Sequence, residues 1–233
     1  MRHENHGGRS RHVSHRPDEM VEAPRRLVTT YAPPPARLLE VGCGAGDLAR
    51  ELAERGYEVI AIDPDAPTGD IVRKTTLEEF HDPEHFDVVV ANRSLHHIPD
   101  LGHALNKIYA LLGGAGMLIL NEFAWDQMDE RTAGWYLSHV NEPGPEVESL
   151  LPGKFPGAWV AEHDGLHGAR TIRAVVGALF EEQLWEWTPY IAEHYLKRPH
   201  LVDVERDLVR ADKINPIGFH YVGKALPDKS PVR

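Results

Sequence analysis

Residues 38–65 read LLEVGCGAGDLARELAERGYEVIAIDPD: an apolar run, three glycines, a helix-like stretch and a second apolar run that ends in acids. The short apolar runs are typical of buried strands, and the spacing between them indicates an amphipathic helix that ends at Gly56. A glycine-rich turn lets a ligand approach the backbone closely, because no Cβ stands in the way. The stretch therefore predicts a strand–turn–helix–strand unit that could hold a nucleotide-like ligand.

The alternation of strand-like and helix-like segments continues on both sides of this unit. It favours a parallel sheet with helices on both faces. The segment before the unit predicts a helix that begins at Asp18, is interrupted by Pro24 and ends at the prolines of 33–35. The segments after it, up to residue 123, are a weak strand DIVRKT (70–75), a strand FDVVVAN (86–92), a helix LGHALNKIYALL (101–112) and a strand MLILNEF (117–123).

The pattern changes after residue 123. Residues 124–160 contain Trp, Gly and Pro but no clean strand, and we interpret them as an insertion of helices and loops. A helix over 165–180, a strand over 181–190, a helix over 201–211 and a last strand over 217–226 follow. We expect residues 18–233 to form a single domain.

The first 17 residues, MRHENHGGRSRHVSHRP, differ from the rest of the chain. Four arginines and four histidines accompany a single Glu in this segment, which shows no apolar periodicity. Such a composition predicts a solvated, poorly ordered tail. A lid over the active site and a metal-binding segment are alternatives, although the histidines lack the paired spacing of a metal site.

The composition narrows the possible partners and compartment. The 233 residues carry a net charge of −11, which opposes binding to nucleic-acid phosphates. Cys43 is the only cysteine, so no intrachain disulfide can form and a reducing compartment is expected. No apolar segment approaches membrane-spanning length. We therefore predict a cytoplasmic protein with no membrane partner.

Two common phosphate-binding motifs do not match the glycine turn. A P-loop requires Lys followed by Ser or Thr after its last glycine, whereas Gly46 is followed by Asp47. A dinucleotide fingerprint requires Gly-x-Gly-x-x-Gly, but the spacing here is Gly42-x-Gly44-x-Gly46. Acids near the start of the helix, Glu40 among them, would also oppose a pyrophosphate.

A cofactor with a positive sulfonium, an ammonium and no phosphate fits these acids better. Asp63 ends the second strand, where a carboxylate suits contacts with both hydroxyls of a ribose. The alternative is a tight strand–helix turn that binds no ligand.

Four segments together resemble the successive motifs of class I S-adenosylmethionine-dependent methyltransferases, in the small-molecule branch called type 11 or 12. They are LLEVGCGAG (38–46), VIAIDPD (59–65), FDVVVANRSLHHI (86–98) and LLGGAGMLIL (111–120), within a match that covers residues 36–124. The resemblance implies an α/β, Rossmann-like fold. Its seven-stranded, mostly parallel sheet would have helices on both faces and an antiparallel last strand, with the insertion as a small helical cap.

The resemblance also implies S-adenosylmethionine as cofactor and S-adenosylhomocysteine as product. Thr76 and Leu77 stand where the family often has an acid that binds the adenine amino group, so the adenine contact would be weaker here. We expect Cys43 to be a small packing residue within the turn. The cofactor-binding residues predicted are Glu40, Gly42, Cys43, Gly44 and Gly46 around the methionine moiety, Asp63 at the ribose, Pro64, Thr76 and Leu77 at the adenine, and Asn92 at the end of its strand.

A pair of histidines follows the fourth strand in NRSLHHIPD (92–100). Methyl transfer requires alignment of the acceptor and, for a hydroxyl or carbon acceptor, removal of a proton. An unperturbed histidine pKa of about 6.5 suits a general base at neutral pH. His96 and His97 are therefore the predicted catalytic residues; the alternative is that they cap or pack against the next helix.

The acceptor site is predicted from residues near the insertion. Trp125, Trp135 and Tyr136 lie where this fold usually builds its acceptor pocket, which predicts an aromatic or apolar acceptor. Glu122, at the end of the fifth strand, could orient a histidine or bind an ammonium group of the substrate. The alternative interpretation of Glu122 is a solvated acid in a loop.

Two histidine pairs spaced four residues apart do not predict a metal site. His81 with His85 and His163 with His167 lack the HExxH form, and we interpret both pairs as surface loops.

The function predicted is O-methylation of a small molecule. The sequence leaves open a nitrogen or carbon acceptor, a macromolecular acceptor, and a catalytically silent protein that binds the cofactor or a partner. It does not indicate the oligomeric state.

Overall fold

A seven-stranded sheet forms the centre of the computed structural model, which describes residues 19–67, 69–140 and 145–227. The sheet order is β3-β2-β1-β4-β5-β7-β6. Strands β1 to β5 are parallel, and β7 is antiparallel to both β5 and β6. This arrangement confirms the predicted fold class. The strands are β1 Arg37–Val41, β2 Glu58–Asp63, β3 Val72–Lys74, β4 Val88–Asn92, β5 Met117–Phe123, β6 Phe180–Thr188 and β7 Gly218–Ala225.

The helices begin and end close to the predicted positions, with two differences. The first helix continues through Pro24 instead of being interrupted there, since proline removes one N–H donor but its fixed φ suits a helix. The helix predicted from residue 165 begins at Ala169, whose N–H donates to Asp126 Oδ1 at 2.8 Å. The helices are α1 Glu19–Tyr31, α2 Asp47–Glu54, α3 Leu101–Leu111, α4 Glu130–Ser138, α5 Gly157–Glu162, α6 Ala169–Leu179 and α7 Val202–Arg210.

Each face of the sheet is covered by its own helices. Side chains alternate between the two faces of a strand, so neighbours such as Leu38 and Leu39 enter different apolar clusters. The cluster of Leu39 includes residues of α3 and α6, and that of Leu38 includes residues of α1 and α2. Both faces of the central strands are therefore buried, as their continuous apolar sequences require.

The insertion after β5 forms a helical cap with an apolar core of its own. Helices α4 and α5 and a π-helical turn at Ile191–Tyr195 contribute to this core, which includes Tyr136 and Trp159. The described part of the insertion contains no strand. The predicted N-terminal tail, 1–17, lies outside the described residues. Within the described ranges, no helix is both long and apolar enough to cross a membrane.

The glycine turn between β1 and α2 packs against the loop that follows β4. Gly42 has φ +74°, and a Cβ built on it would lie 2.3 Å from the Ser94 Cβ. Ser94 in turn donates its hydroxyl proton to the Val41 carbonyl oxygen at 2.7 Å. The absence of a side chain at position 42 therefore lets the two loops meet. Gly44 differs, because its φ is +53° but a Cβ at this position would have no neighbouring atom within 4 Å.

We predict that Gly42→Ala destabilises the protein more than Gly44→Ala. Both substitutions place alanine in the left-handed region, at a cost of about 1–2 kcal/mol. Only Gly42→Ala also collides with Ser94, which adds about 1–3 kcal/mol, the usual cost of overpacking. Urea denaturation of the two variants measures the difference, and equal losses in unfolding free energy would contradict the close approach of the two loops.

Candidate active site

A cavity of about 420 Å³ lies at the carboxyl-terminal edge of the sheet, where β1, β2, β3 and β4 end. This volume is typical of small-molecule sites. The fold therefore brings residues from four separate segments to one concave site. Of the predicted site residues, those that line the cavity are Gly42, Asp63, Pro64, Thr76, Leu77 and His97.

Asp63 connects the turn after β1 to the turn after β2. Its Oδ2 accepts a hydrogen bond from the Gly44 N–H at 3.0 Å, and its Oδ1 accepts one from the Asp65 N–H at 2.8 Å. Each carboxylate oxygen has a second lone pair, so two ligand hydroxyls could still bind to it. The same side chain thus shapes the turn and lines the cavity.

Glu40 lies beneath the glycine turn and does not line the cavity. Its side chain points to the face of the sheet that α2 covers, where it is 2% exposed. Burial raises the pKa of its carboxyl group to about 8, although the Ala49 N–H at the start of α2 opposes this rise. Oε2 of Glu40 has no hydrogen-bond partner among the described residues. A proton on this group at neutral pH removes the cost of an uncompensated charge.

We predict that Glu40→Gln flattens the pH dependence of stability. The folded protein keeps a proton on Glu40 that the unfolded chain loses near pH 4.5, so the unfolding free energy should fall as the pH rises to about 8. The pKa difference corresponds to a fall on the order of 3–5 kcal/mol. Glutamine resembles the protonated carboxyl group and cannot ionise.

Chemical denaturation from about pH 4.5 to about pH 8.5, which spans the interval between the two pKa values, measures this effect. The exposed Glu54 of α2 provides the matched control, Glu54→Gln. If Glu40→Gln and the wild type lose stability in parallel across this range, the carboxyl group is not protonated in the folded protein.

The other residues of the glycine turn contribute to packing. Cys43 belongs to the apolar cluster beneath α1 and α2, and burial, followed by the charges of Glu40 and Asp63, raises the pKa of its thiol to about 12. Gly46 has φ +81°, and a Cβ there would lie 2.7 Å from Val72 Cγ2. Cys43, Gly44 and Gly46 do not line the 420 Å³ cavity.

Two polar residues predicted at the cofactor are engaged with neighbouring protein groups. Thr76 Oγ1 accepts a hydrogen bond from the Glu79 N–H at 3.2 Å, so it stabilises the local turn. Asn92 Oδ1 accepts one from Asn121 Nδ2 at 2.9 Å, across the β4–β5 pair. Asn92 does not line the cavity, whereas the side chain of Leu77 forms an apolar part of its wall.

Glu122 holds the loop after β4 from beneath. Its side chain is fully buried. Oε1 accepts hydrogen bonds from the N–H groups of Ser94 (3.0 Å) and Leu95 (2.7 Å). Oε2 lies 2.5 Å from His96 Nδ1. The alternative of a solvated loop acid is therefore wrong. Because both oxygens are engaged and the side chain does not reach the cavity, the geometry suits orientation of a histidine rather than substrate binding.

The two adjacent histidines lie in different environments. His96 is 4% exposed, and its Nδ1–H donates to Glu122. His97 is exposed, lines the 420 Å³ cavity and has its ring centre 4.1 Å from that of His96. Burial of part of the ring, followed by the nearby charge of His96, lowers the pKa of His97. His97 is thus neutral at pH 7 and able to accept a proton.

The aromatic residues predicted at the acceptor form the core of the cap. Tyr136 is fully buried with its ring 5.5 Å from that of Tyr195, and Trp135 packs on His139 at 4.9 Å. Trp125 stacks on His163 at 5.5 Å. Trp125, Trp135 and Tyr136 do not line the 420 Å³ cavity.

The surface-loop interpretation of His163 is also wrong. This residue is 5% exposed, and its Nδ1–H donates to the Trp159 carbonyl oxygen at 2.8 Å. Within the described ranges, no group of three or more His, Cys, Asp or Glu side chains could hold a metal ion.

A second cavity, of about 570 Å³, lies between α1, α7 and the end of β6. The sequence does not reveal it, because its walls come from segments far apart in the chain. It is lined by both acids and bases, with Asn121 at the end of β5. The polar and charged residues on its wall include Arg26, Asn121, Glu186, Tyr190, His194 and Arg206.

A buried carboxylate fixes the part of this wall that follows β6. Glu205 of α7 accepts hydrogen bonds from the N–H groups of Tyr190 (2.8 Å), Ile191 (3.0 Å) and Ala192 (2.7 Å). Burial raises the pKa of its carboxyl group, while these N–H groups oppose the rise. Glu205 therefore holds the start of the π-helical turn that carries His194.

The sheet order and the glycine turn define the Rossmann-like fold of class I S-adenosylmethionine-dependent methyltransferases. A family model described as a methyltransferase domain matches residues 12–151, more than half of the chain. The chain therefore belongs to this methyltransferase family.

Curated relatives match a shorter part of the chain. A ubiquinone biosynthesis O-methyltransferase from Bradyrhizobium sp. (strain ORS 278) is 32% identical over an alignment of 98 residues, and the match covers 36% of this chain and 39% of the relative. The corresponding protein from Rhodopseudomonas palustris (strain HaA2) is 33% identical over 97 residues, 36% of this chain and 38% of the relative. The matches thus span well under half the length of these relatives.

Solved structures share the fold over most of the chain. The N-methyltransferase NodS from Bradyrhizobium japonicum WM9, in complex with S-adenosylhomocysteine, aligns with a TM-score of 0.55 at 14% identity and covers 89% of this chain and 86% of its own. The 1,6-didemethyltoxoflavin-N1-methyltransferase of Burkholderia thailandensis has S-adenosylhomocysteine and 1,6-didemethyltoxoflavin bound. It aligns with a TM-score of 0.52 at 18% identity, over 90% of this chain and 79% of its own.

Proposed function

We propose that this protein transfers a methyl group from S-adenosylmethionine to a hydroxyl group of a small molecule. The observation that carries the proposal is the 420 Å³ cavity, which brings Gly42, Asp63 and Leu77 to one edge of the sheet. Family membership supports methyl transfer, and the names of the curated relatives support an oxygen acceptor. The S-adenosylhomocysteine bound in two neighbours of the same fold supports the cofactor.

The residues present fit this cofactor. Gly42 lines the cavity, and the free lone pairs of Asp63 can accept hydrogen bonds from ribose hydroxyls. Pro64 and Leu77 offer apolar surface for an adenine ring. When bound, S-adenosylmethionine supplies a methyl group on a positive sulfonium, which is the electrophile of the reaction.

His97 is the residue that we assign as general base. It lines the cavity, and its lowered pKa keeps it neutral at pH 7, so it can take the proton of an acceptor hydroxyl. His96 is buried against Glu122 and acts as a positioning residue for the loop. A neutral amine acceptor can attack through its own lone pair and needs no base. A requirement for His97 would therefore support an oxygen acceptor.

We predict that Asp63→Ala weakens binding of S-adenosylhomocysteine by about 1–3 kcal/mol, the loss expected for hydrogen bonds to a charged group in a sheltered site. Isothermal titration calorimetry measures the change. Asp70→Ala is the matched control, because Asp70 is exposed and does not line the cavity. Absence of any binding to the wild type would contradict the cofactor assignment.

We predict that His97→Asn lowers kcat by about 10²–10⁴, the usual contribution of a general base. A mass-spectrometric screen of small hydroxylated molecules first identifies an acceptor, and the rate is then measured from pH 5.5 to 9, roughly the range in which a histidine titrates. His103→Asn, on the exposed face of α3, is the control. Unchanged turnover and an unchanged acidic limb of the pH profile would rule out His97 as the base.

A further inference from the structure

Arg93 lies between the two cavities. Arg93 lines the 420 Å³ cavity, and its Nη1 lies 3.1 Å from Nδ1 of His194, which lines the 570 Å³ cavity. The backbone of Arg93 has φ +53°, and its N–H donates to the Asn121 carbonyl oxygen at 2.7 Å. A non-glycine residue in this conformation is strained, and such residues cluster at ligand-binding and active sites.

The protein groups that contact the Arg93 guanidinium are neutral. Burial, followed by the charge of Arg93, lowers the pKa of His194 to about 3, so its uncharged Nδ1 accepts the hydrogen bond. The Tyr190 hydroxyl also hydrogen-bonds to Arg93, and burial raises the pKa of that hydroxyl. Both partners thus accept a hydrogen bond but supply no negative charge.

The positive charge of Arg93 is not balanced by an adjacent carboxylate. Within the described ranges, no Asp or Glu oxygen lies within 4.0 Å of its guanidinium nitrogens. Its Nε is buried and has no hydrogen-bond partner among the same residues. A sheltered guanidinium in this state is costly unless an anion binds to it, and its planar donors match a carboxylate in a bidentate arrangement.

We propose that Arg93 binds a carboxylate group of one of the two substrates, at the junction of the two cavities. This inference rests on the proposed function. The carboxylate could belong to the amino-acid end of S-adenosylmethionine, which would reach Arg93 from the 420 Å³ cavity. It could instead belong to the acceptor, which would reach Arg93 from the 570 Å³ cavity.

A singly charged anion matches this junction. The wall of the 570 Å³ cavity carries three acids and three arginines, namely Glu22, Glu186, Glu193, Arg26, Arg206 and Arg210. These charges cancel, so the wall adds no net positive charge for a dianion. The single guanidinium of Arg93, with neutral partners, balances one negative charge. A carboxylate supplies that one charge together with two oxygens that match the planar donors of arginine.

The first arm of the test compares two ligands that differ in the amino-acid end, which carries the carboxylate. S-adenosylhomocysteine contains the amino-acid end, and 5′-methylthioadenosine contains the same adenosine and thioether without it. Calorimetry measures both affinities for the wild type, Arg93→Asn and Arg93→Lys; asparagine is chosen because it tolerates the left-handed region. If the cofactor supplies the carboxylate, Arg93→Asn weakens S-adenosylhomocysteine tenfold or more and leaves 5′-methylthioadenosine unchanged.

The second arm tests the acceptor with the protein saturated with S-adenosylhomocysteine. The probes are 3-hydroxybenzoate and 3-hydroxybenzamide, which match in shape but differ in charge. If the acceptor supplies the carboxylate, the wild type binds the benzoate at least fivefold more tightly, and Arg93→Asn removes this preference. In that case the affinity ratio of the two adenosine ligands is the same in variant and wild type.

The proposal is overturned if Arg93→Asn changes neither ratio. Arg93→Lys retains the charge but not the bidentate geometry, so it should show a smaller loss of the same selectivity. If thermal denaturation shows that Arg93→Asn does not fold, the same ratios are measured with Arg93→Lys instead. Arg170→Asn is the matched control, since the Arg170 side chain is 83% exposed and lines neither cavity. A wild type that binds neither adenosine ligand contradicts the proposed function itself, which separates the two failures.

Discussion

The Glu122 carboxylate is the interaction on which the geometry of the candidate site depends. It is fully buried at the end of β5, and a carboxylate in such a place is stable only when its oxygens are hydrogen-bonded. The groups that bind it belong to the loop after β4: the N–H groups of Ser94 and Leu95 and the ring of His96. One side chain thereby fixes the backbone on which Arg93 and His97 are carried.

This constraint extends from the loop after β4 to the glycine turn. With Ser94 fixed by Glu122, its side chain occupies the space that a Cβ on Gly42 would need. Asp63 connects the same turn to the end of β2 through the Gly44 N–H. Three of the four loops that surround the cavity, those after β1, β2 and β4, are therefore linked by hydrogen bonds and close packing. A ligand meets a site whose backbone is already in place, which reduces the entropic cost of binding.

Local sequence predicted the sheet, for a physical reason, and half of the ten residues predicted at the cofactor line the 420 Å³ cavity. Strands such as β4 are continuous apolar runs because both of their faces are buried, and that property is visible in the sequence itself. The residues of the glycine turn and Asp63 lie within a short stretch, so their spacing encodes the turn directly. The interruption predicted at Pro24 was wrong because one lost hydrogen bond does not end a helix that packs on the sheet.

The 570 Å³ cavity could not be predicted in the same way, because the residues around it come from distant segments. Arg93 meets His194, 101 residues further along the chain, and neither residue type marks such a contact in advance. The tryptophans of the insertion suggested an aromatic pocket, but a cap needs an apolar core before it can shape any pocket. Tyr136 and Trp159 supply that core. The 570 Å³ cavity lies between α1, α7 and the end of β6, with His194 of the π-helical turn on its wall. The aromatic content of an insertion thus reports how the cap folds, whereas the polar walls of a cavity depend on side chains that distant elements bring together.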